Sequence, residues 1–311
     1  MDNNVLGLHH ITAIAGDAQQ NFNFYTHILG IRMVKKTVNF DDPGTYHLYY
    51  GDERGSAGTI LTFFPWEGIG QGTDGVGMAT EITYAVPEGS LEFWINRFAE
   101  HNVVSGPITE RFGEFVLPFK DPDGLSLGLL IPKQADLRTP WETAAVTKKV
   151  ATRGFHSTTL SLQKIDETAK VLTDLLDYRL LAQEGNRFRF INDQTETAAV
   201  VDLLELPDAA RGRNAAGTNH HVAFRVKDEK VQLELREKIL SSGLQITPKI
   251  DRDYFFSLYF REPGGVLFEI ATENPGFTVD EPLAELGTHL MLPNQHAHLR
   301  DDLEKILPKL S

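Results

Sequence analysis

The chain has 311 residues, no cysteine, and 30 lysines and arginines against 43 aspartates and glutamates, giving a net charge of −13. The lack of cysteine excludes a disulfide framework, thiolate metal ligands and a thiol nucleophile, and the negative field, which repels phosphate backbones, excludes nucleic acid as an expected partner. The length suits two cores of about 150 residues each, no run approaches the roughly 18 apolar residues of a membrane span, and Met1-Asp2-Asn3-Asn4 lacks the basic-then-apolar pattern of an export signal, so the expectation is a cytoplasmic protein without a membrane partner.

In chain order the sequence reads as four copies of one module, a strand, a helix and a run of strands. The first opens with the strand Leu8-His9-His10-Ile11-Thr12-Ala13-Ile14. A helix follows over 18–29, with Phe22, Tyr25 and Leu29 at helical spacing. Gly30 stands where a helix takes its left-handed C-terminal glycine. Strands are expected at 32–38, 46–50 and 58–64. The second copy spans about 79–131, with its helix at 91–101. The third opens at Gly154-Phe155-His156-Ser157-Thr158-Thr159-Leu160, with a helix at 166–176. The fourth opens at Asn219-His220-His221-Val222-Ala223-Phe224-Arg225-Val226, with a helix at 229–240 and Gly243 beyond its end.

Copies one and three share the segment after the helix, and copies two and four share a last hairpin, Asp121-Pro122-Asp123-Gly124 against Glu262-Pro263-Gly264-Gly265. The A-B-A-B order implies duplication of a two-module unit. It divides the chain into a domain at 6–131, a linker at 132–153, a second domain at 154–273 and a helical tail at 274–311, with an amphipathic piece over 298–307. The expected class is α+β: four βαβββ modules whose sheets close cups, with the helices outside. Gly68–Gly75 is glycine-rich but precedes no clear helix, so it reads as a loop and not a phosphate cradle.

Strand parity shows which residues enter the cup. Val222, Phe224 and Val226 form the bulky set under the helix, so His221, Ala223 and Arg225 face inward. In the last strand Val266, Phe268 and Ile270 take the helix side, and Leu267 and Glu269 face inward. A carboxylate in such a strand needs a partner: a metal, or a salt bridge to Arg225 or Arg252. Two histidines and a carboxylate on neighbouring inward strands make a facial triad that leaves metal positions open. Imidazole and carboxylate suit Fe(II), Mn(II), Ni(II) and Zn(II) better than Ca(II).

The module pattern, with His10-Ile11-Thr12-Ala13-Ile14 leading to Phe24-Tyr25 and Leu29-Gly30, resembles the vicinal-oxygen-chelate superfamily of glyoxalase I, extradiol dioxygenases and fosfomycin-resistance transferases. The segments 38–52 (Val38-Asn39-Phe40-Asp41-Asp42-Pro43-Gly44-Thr45-Tyr46-His47-Leu48-Tyr49-Tyr50-Gly51-Asp52) and 58–66 resemble, more narrowly, the bacterial ring-cleaving dioxygenases associated with hydroquinones. The resemblance covers about 260 residues, all but the linker and tail.

It implies metal ligands His10, His221 and Glu269, His10 because Phe24 lies fourteen residues on; His9 and His220 remain the alternatives within each tandem pair. Copy two has Gly128 at the Glu position, and copy three has His156 followed by Ser157. One complete site therefore forms per chain, and modules one and four must pair within the chain or between two chains. The resemblance further implies Fe(II) as the first choice of metal, with Mn(II), Ni(II) or Zn(II) as alternatives, and an aromatic diol and O2 as substrates. A glyoxalase-type lyase or isomerase and a metal-free aromatic-binding protein are the alternative readings, and a homodimer is left open. It implies His47 as an acid–base group and Tyr259, ten residues before Glu269, as a hydrogen-bond donor, each against a packing role. Phe63, Phe115, Phe255 and Tyr49 are candidates for the pocket lining or for plain core. His289, His296 and His298 are candidates to cover the site or to face solvent.

Overall fold

The structure, a computed structural model, describes residues 5–311. Module one contributes β1 (Val5–Ala15), β2 (Arg32–Val38), β3 (Tyr46–Gly51) and β4 (Ile60–Pro65), and module two β5 (Met78–Ala85), β6 (Thr109–Arg111), β7 (Glu114–Lys120) and β8 (Ser126–Ile131). Module three contributes β9 (Phe155–Leu162), β10 (Tyr178–Glu184), β11 (Arg187–Asn192) and β12 (Val200–Glu205), and module four β13 (Thr218–Val226), β14 (Ile250–Asp251), β15 (Phe255–Arg261) and β16 (Leu267–Pro275). The fold is α+β, with two curled eight-stranded sheets and few helices.

The outer modules pair with each other and so do the inner ones. One sheet runs β14-β15-β16-β13-β1-β4-β3-β2 and the other β10-β11-β12-β9-β5-β8-β7-β6. The seams are the antiparallel pairs β1–β13 and β5–β9. Each sequence unit, 6–131 and 154–273, thus lends one module to each sheet.

The helices α1 (Ala18–Asn23), α2 (Leu91–Glu100), α3 (Asp166–Lys170) and α4 (Glu229–Ser241) cover one face of the sheets. The first helix is shorter than its apolar spacing suggests, because α1 widens into a π-helical turn over Phe24–Ile28 before Gly30 turns left-handed at φ 68°. The helix after β9 ends the same way, in a π turn over Val171–Leu175. Asp17 caps α1 by accepting from the Gln20 N–H, and Asp228 caps α4 by accepting from Val231.

The helix side holds the main core, including Val222, Phe224, Val226, Phe268 and Ile270, as parity requires. The inner face of the outer sheet holds a separate small apolar cluster around Tyr49, Ala223, Phe255, Ala271 and Phe277. The tail supplies Phe277 and Leu286 to that cluster and anchors itself through buried Lys35, which pairs with Asp280 at 2.6 Å and Glu281 at 2.5 Å. No helix among the described residues is long and apolar enough to cross a membrane.

Candidate metal centre

Register places the donors. Glu269 pairs with Ala223 across β13–β16, and Ala223 pairs with His10 across β13–β1, so Glu269, Ala223 and His10 form one row over three strands. The central residue is alanine, which leaves space above it for the two longer side chains to converge. His221 lies two residues along β13 on the same face, opposite Thr12. The donor atoms meet: His221 Nε2 is 2.9 Å and His10 Nε2 3.2 Å from Glu269 Oε2, and the two Nε2 atoms are 3.3 Å apart. All three residues are buried.

This donor set fits a divalent ion. Bonds of about 2.1 Å at right angles put neighbouring ligand atoms about 3.0 Å apart, and the observed spacings cluster around that edge. Glu269 Oε2 is fully enclosed and makes no well-formed hydrogen bond; its near neighbours are the two imidazole Nε2 atoms, an arrangement that a cation among the three atoms would complete. Its other oxygen, Oε1, accepts from the Ser257 hydroxyl at 2.5 Å. Burial pushes the Glu269 carboxyl up, but the imidazoles, His10 foremost, outweigh it and hold it well below the ordinary carboxylate range. Arg225 pairs with Glu273 at 2.6 Å, and Arg252 stacks over Phe40 and Tyr259, so the salt-bridge alternative for Glu269 is not realised.

Both members of each tandem histidine pair turn inward, which parity alone forbids. The β1–β13 ladder skips one residue between Leu8 and His10 and again between Asn219 and His221. The extra residues are His9 and His220, carried on β-bulges. In each pair the two Nδ1 atoms lie 2.8 Å apart. With Nε2 of His10 and His221 facing the donor cluster, their Nδ1 atoms are left to bond the neighbouring ring, which fixes tautomer and orientation. Burial lowers both His9 and His220 to about 3, helped in each case by the adjacent histidine, so these rings are neutral.

A cavity of about 370 Å³ opens on the cluster. His10, His47, His220, His221, Arg252 and Tyr259 supply its polar edges, and Phe40, Tyr49, Phe64, Trp66, Phe255 and Leu267 its apolar walls. Tyr259 is the direct cross-strand partner of Glu269, so the ten-residue spacing is the register of the β15–β16 hairpin. Its ring meets His221 edge-on at 5.7 Å. His47 lines the cavity with both nitrogens engaged: Nε2 is 2.9 Å from the Thr62 hydroxyl and Nδ1 2.8 Å from the Tyr49 hydroxyl. Burial, reinforced by His10 and His221, holds it well below 6.5.

Of the four aromatic candidates, Tyr49 and Phe255 line the cavity. Phe63 lies on the opposite face, 4.7 Å from the Tyr25 ring in the core, and Phe115 is exposed at the outer end of β7. His289 and His298 are exposed, whereas His296 reaches the carbonyl of Phe40. Sequence reasoning did not single out Phe40, Asp41, Asp42 or Trp66, which sit on loops without periodicity, nor Arg252 as a wall of the site.

The inner sheet shows what the triad positions become without a metal. Gly128 pairs with Thr83 and Thr83 with Ser157, the counterparts of Glu269, Ala223 and His10, and Glu81 takes the His221 position. This cup is filled by a buried ionic network. Arg189 binds Asp202 at 2.9 Å and Glu114 at 2.5 Å, and Arg111 binds Glu81 at 2.5 Å. Among the described residues, His10, His221 and Glu269 are the one group placed to share an ion.

The family model described as Glyoxalase/Bleomycin resistance protein/Dioxygenase superfamily matches residues 7–129 and 154–270. The chain is 44% identical to the Bacillus subtilis (strain 168) protein named "Putative ring-cleaving dioxygenase MhqO", over 99% of this chain and 98% of that one. It is 35% identical to the chlorohydroquinone/hydroquinone 1,2-dioxygenase of Sphingobium indicum, over 96% and 95%. A crystal structure from Bacillus subtilis subsp. subtilis str. 168 superposes with a TM-score of 0.95 at 43% identity, covering 99% of this chain and 98% of that one. Glyoxalase I from Zea mays shares the fold, with a TM-score of 0.65 at 15% identity and 91% and 97% coverage.

Proposed function

Because the chain belongs to the Glyoxalase/Bleomycin resistance protein/Dioxygenase superfamily, we propose that it is a ring-cleaving dioxygenase that inserts O2 into a dihydroxylated aromatic of the hydroquinone or catechol type, working in the cytoplasm. The observation that carries the reading is the enclosed triad at octahedral-edge spacing on the floor of an aromatic-walled cavity. His10, His221 and Glu269 would hold the metal, with Fe(II) the first choice. When bound, the metal supplies a Lewis-acidic, redox-active centre with positions open to a phenolic oxygen and to O2.

The protein's own residues do the rest. Phe40, Phe64, Trp66 and Phe255 hold the ring and exclude water. Tyr259, its hydroxyl pushed up by burial and by Glu269, stays protonated and donates a hydrogen bond to oxygen atoms of the reacting ring. Arg252, beside Tyr259, offsets negative charge that develops there. His47 moves protons through the Thr62 or Tyr49 hydroxyl, because both of its nitrogens are already bonded. Among the described residues His220 Nε2 has no hydrogen-bond partner, which leaves it available to a phenolic hydroxyl.

The test is oxygen uptake by Fe(II)-loaded protein over a panel of hydroquinones and catechols. Stoichiometric uptake with ring opening is the expected result. Loaded protein that consumes no O2 with any of them refutes the reading.

A further inference from the structure

One wall of the cavity is a loop, and the far end of the chain holds it. Residues 39–45 join β2 to β3, and Asn39, Phe40, Asp41 and Asp42 all line the cavity. The loop's shape comes from bonds within itself. The Asn39 N–H donates to the Thr45 carbonyl at 2.8 Å, and Asn39 Oδ1 accepts from the Asp41 and Asp42 N–H groups. None of these ties the loop to the body of the protein.

The ties on the cavity side are few. Trp66 Nε1 donates to Asp42 at 2.9 Å, and Arg252 lies 5.1 Å from the Phe40 ring centre and 3.9 Å from Asp41. On the outer side, the short 3-10 helix Asn294–Leu299 brings two donors to one acceptor. Gln295 Nε2 donates to the Phe40 carbonyl at 2.9 Å and His296 Nε2 at 2.8 Å.

The tail is itself fastened to both strands that carry the loop. The Met291 N–H donates to the Lys36 carbonyl in β2, and the Tyr46 hydroxyl in β3 donates to the Pro308 carbonyl. Leu303 and Leu307 are buried in the main core. The loop cannot swing outward without breaking the bonds to Gln295 and His296.

We propose that the C-terminal segment is a latch that positions the Phe40 wall over the substrate, with Gln295 and His296 as positioning residues that set how tightly a ring is held. The proposal rests on the reading of this cavity as the aromatic substrate's site. It goes beyond that reading by giving substrate grip to residues that touch no substrate.

The experiment compares the metal-loaded wild type with a Gln295→Ala/His296→Ala double variant and a His296→Gln variant. The readouts are hydrogen exchange of residues 39–45 and the split between KM and kcat in oxygen uptake. Gln295 is exposed and His296 half-buried, and neither belongs to the core, so folding is expected to survive. The double variant should exchange about tenfold faster over 39–45 and raise KM by about fivefold with kcat within about twofold, as loss of one exposed and one half-buried hydrogen bond allows. His296→Gln, which leaves Gln295 in place and keeps a second donor, should stay at the wild-type values of both. Unchanged exchange overturns the latch, and so does faster exchange with unchanged KM. If wild-type protein turns over no phenol, the functional reading fails. Exchange over 39–45 and anaerobic quenching of Trp66 by hydroquinone then judge the latch alone: faster exchange with weaker quenching in the double variant supports it, and no change in either overturns it.

Discussion

Replacing Ser257 by alanine removes one atom that touches the metal site without touching the metal. The Ser257 hydroxyl donates to Glu269 Oε1 at 2.5 Å, and Ser257 is fully buried on β15. The bond fixes the carboxylate so that Oε2 points at the two imidazoles. A hydrogen bond to a charged group contributes about 1.5–3 kcal/mol, and loss of such a support typically lowers metal affinity by about 10–100-fold. The two scales agree, since tenfold corresponds to about 1.4 kcal/mol. Ser257→Ala should therefore bind Fe(II) or Zn(II) about 10–100-fold more weakly in competition with a chromophoric chelator. The fold should remain, because the change deletes a single oxygen. Wild-type affinity in this variant would refute the claim that Ser257 aims the carboxylate.

Tyr259→Phe should leave metal affinity within about twofold and lower kcat by about tenfold, the size of one hydrogen bond strengthened in the transition state; unchanged kcat would remove Tyr259 from the reaction. Gly128→Glu restores a carboxylate at the inner counterpart of Glu269, but a Cβ there would lie 2.9 Å from Thr83 Cγ2 and 3.1 Å from Val116 Cγ1. Overpacking costs about 1–3 kcal/mol, so calorimetry should show a lower Tm with metal content still one per chain; a second metal equivalent would contradict this. Glu114 sits in the inner network, where burial pushes it up but His156 and Arg189 outweigh that and hold it at about 2, below its ordinary 4.5. A depressed carboxylate contributes stability above its unfolded pKa, lost as pH falls from about 4.5 through about 2 and at most about 3 kcal/mol in size. Glu114→Gln should flatten urea midpoints over that acid range, and parallel curves for the two proteins would refute the assignment.

The site was legible where strands are regular. Parity placed His221 and Glu269 inward because β13 and β16 keep period two around Val222–Val226 and Phe268–Ile270, and the hairpin register is what set Tyr259 opposite Glu269. The incompleteness of the inner copies, Gly128 and Ser157, already required the outer modules to meet. What sequence could not show was the pair of bulges that turn His9 and His220 inward, because a bulge breaks the alternation on which parity depends. Arg252, Phe40 and Trp66 escaped for a related reason. They lie where no period exists, and tertiary contact alone brings them to the cavity. His47 was found by position, but the hydroxyls that occupy both its nitrogens come from strands β3 and β4 and are visible only in three dimensions.

The central claim is that one divalent ion is held by His10 Nε2, His221 Nε2 and Glu269 Oε2. Anomalous diffraction from crystals of metal-loaded protein tests it most directly. The account predicts one anomalous peak per chain, about 2.1 Å from each of those three atoms. A peak on the His9 or His220 ring, a peak among the tail histidines, or none at the triad in fully loaded protein would contradict it.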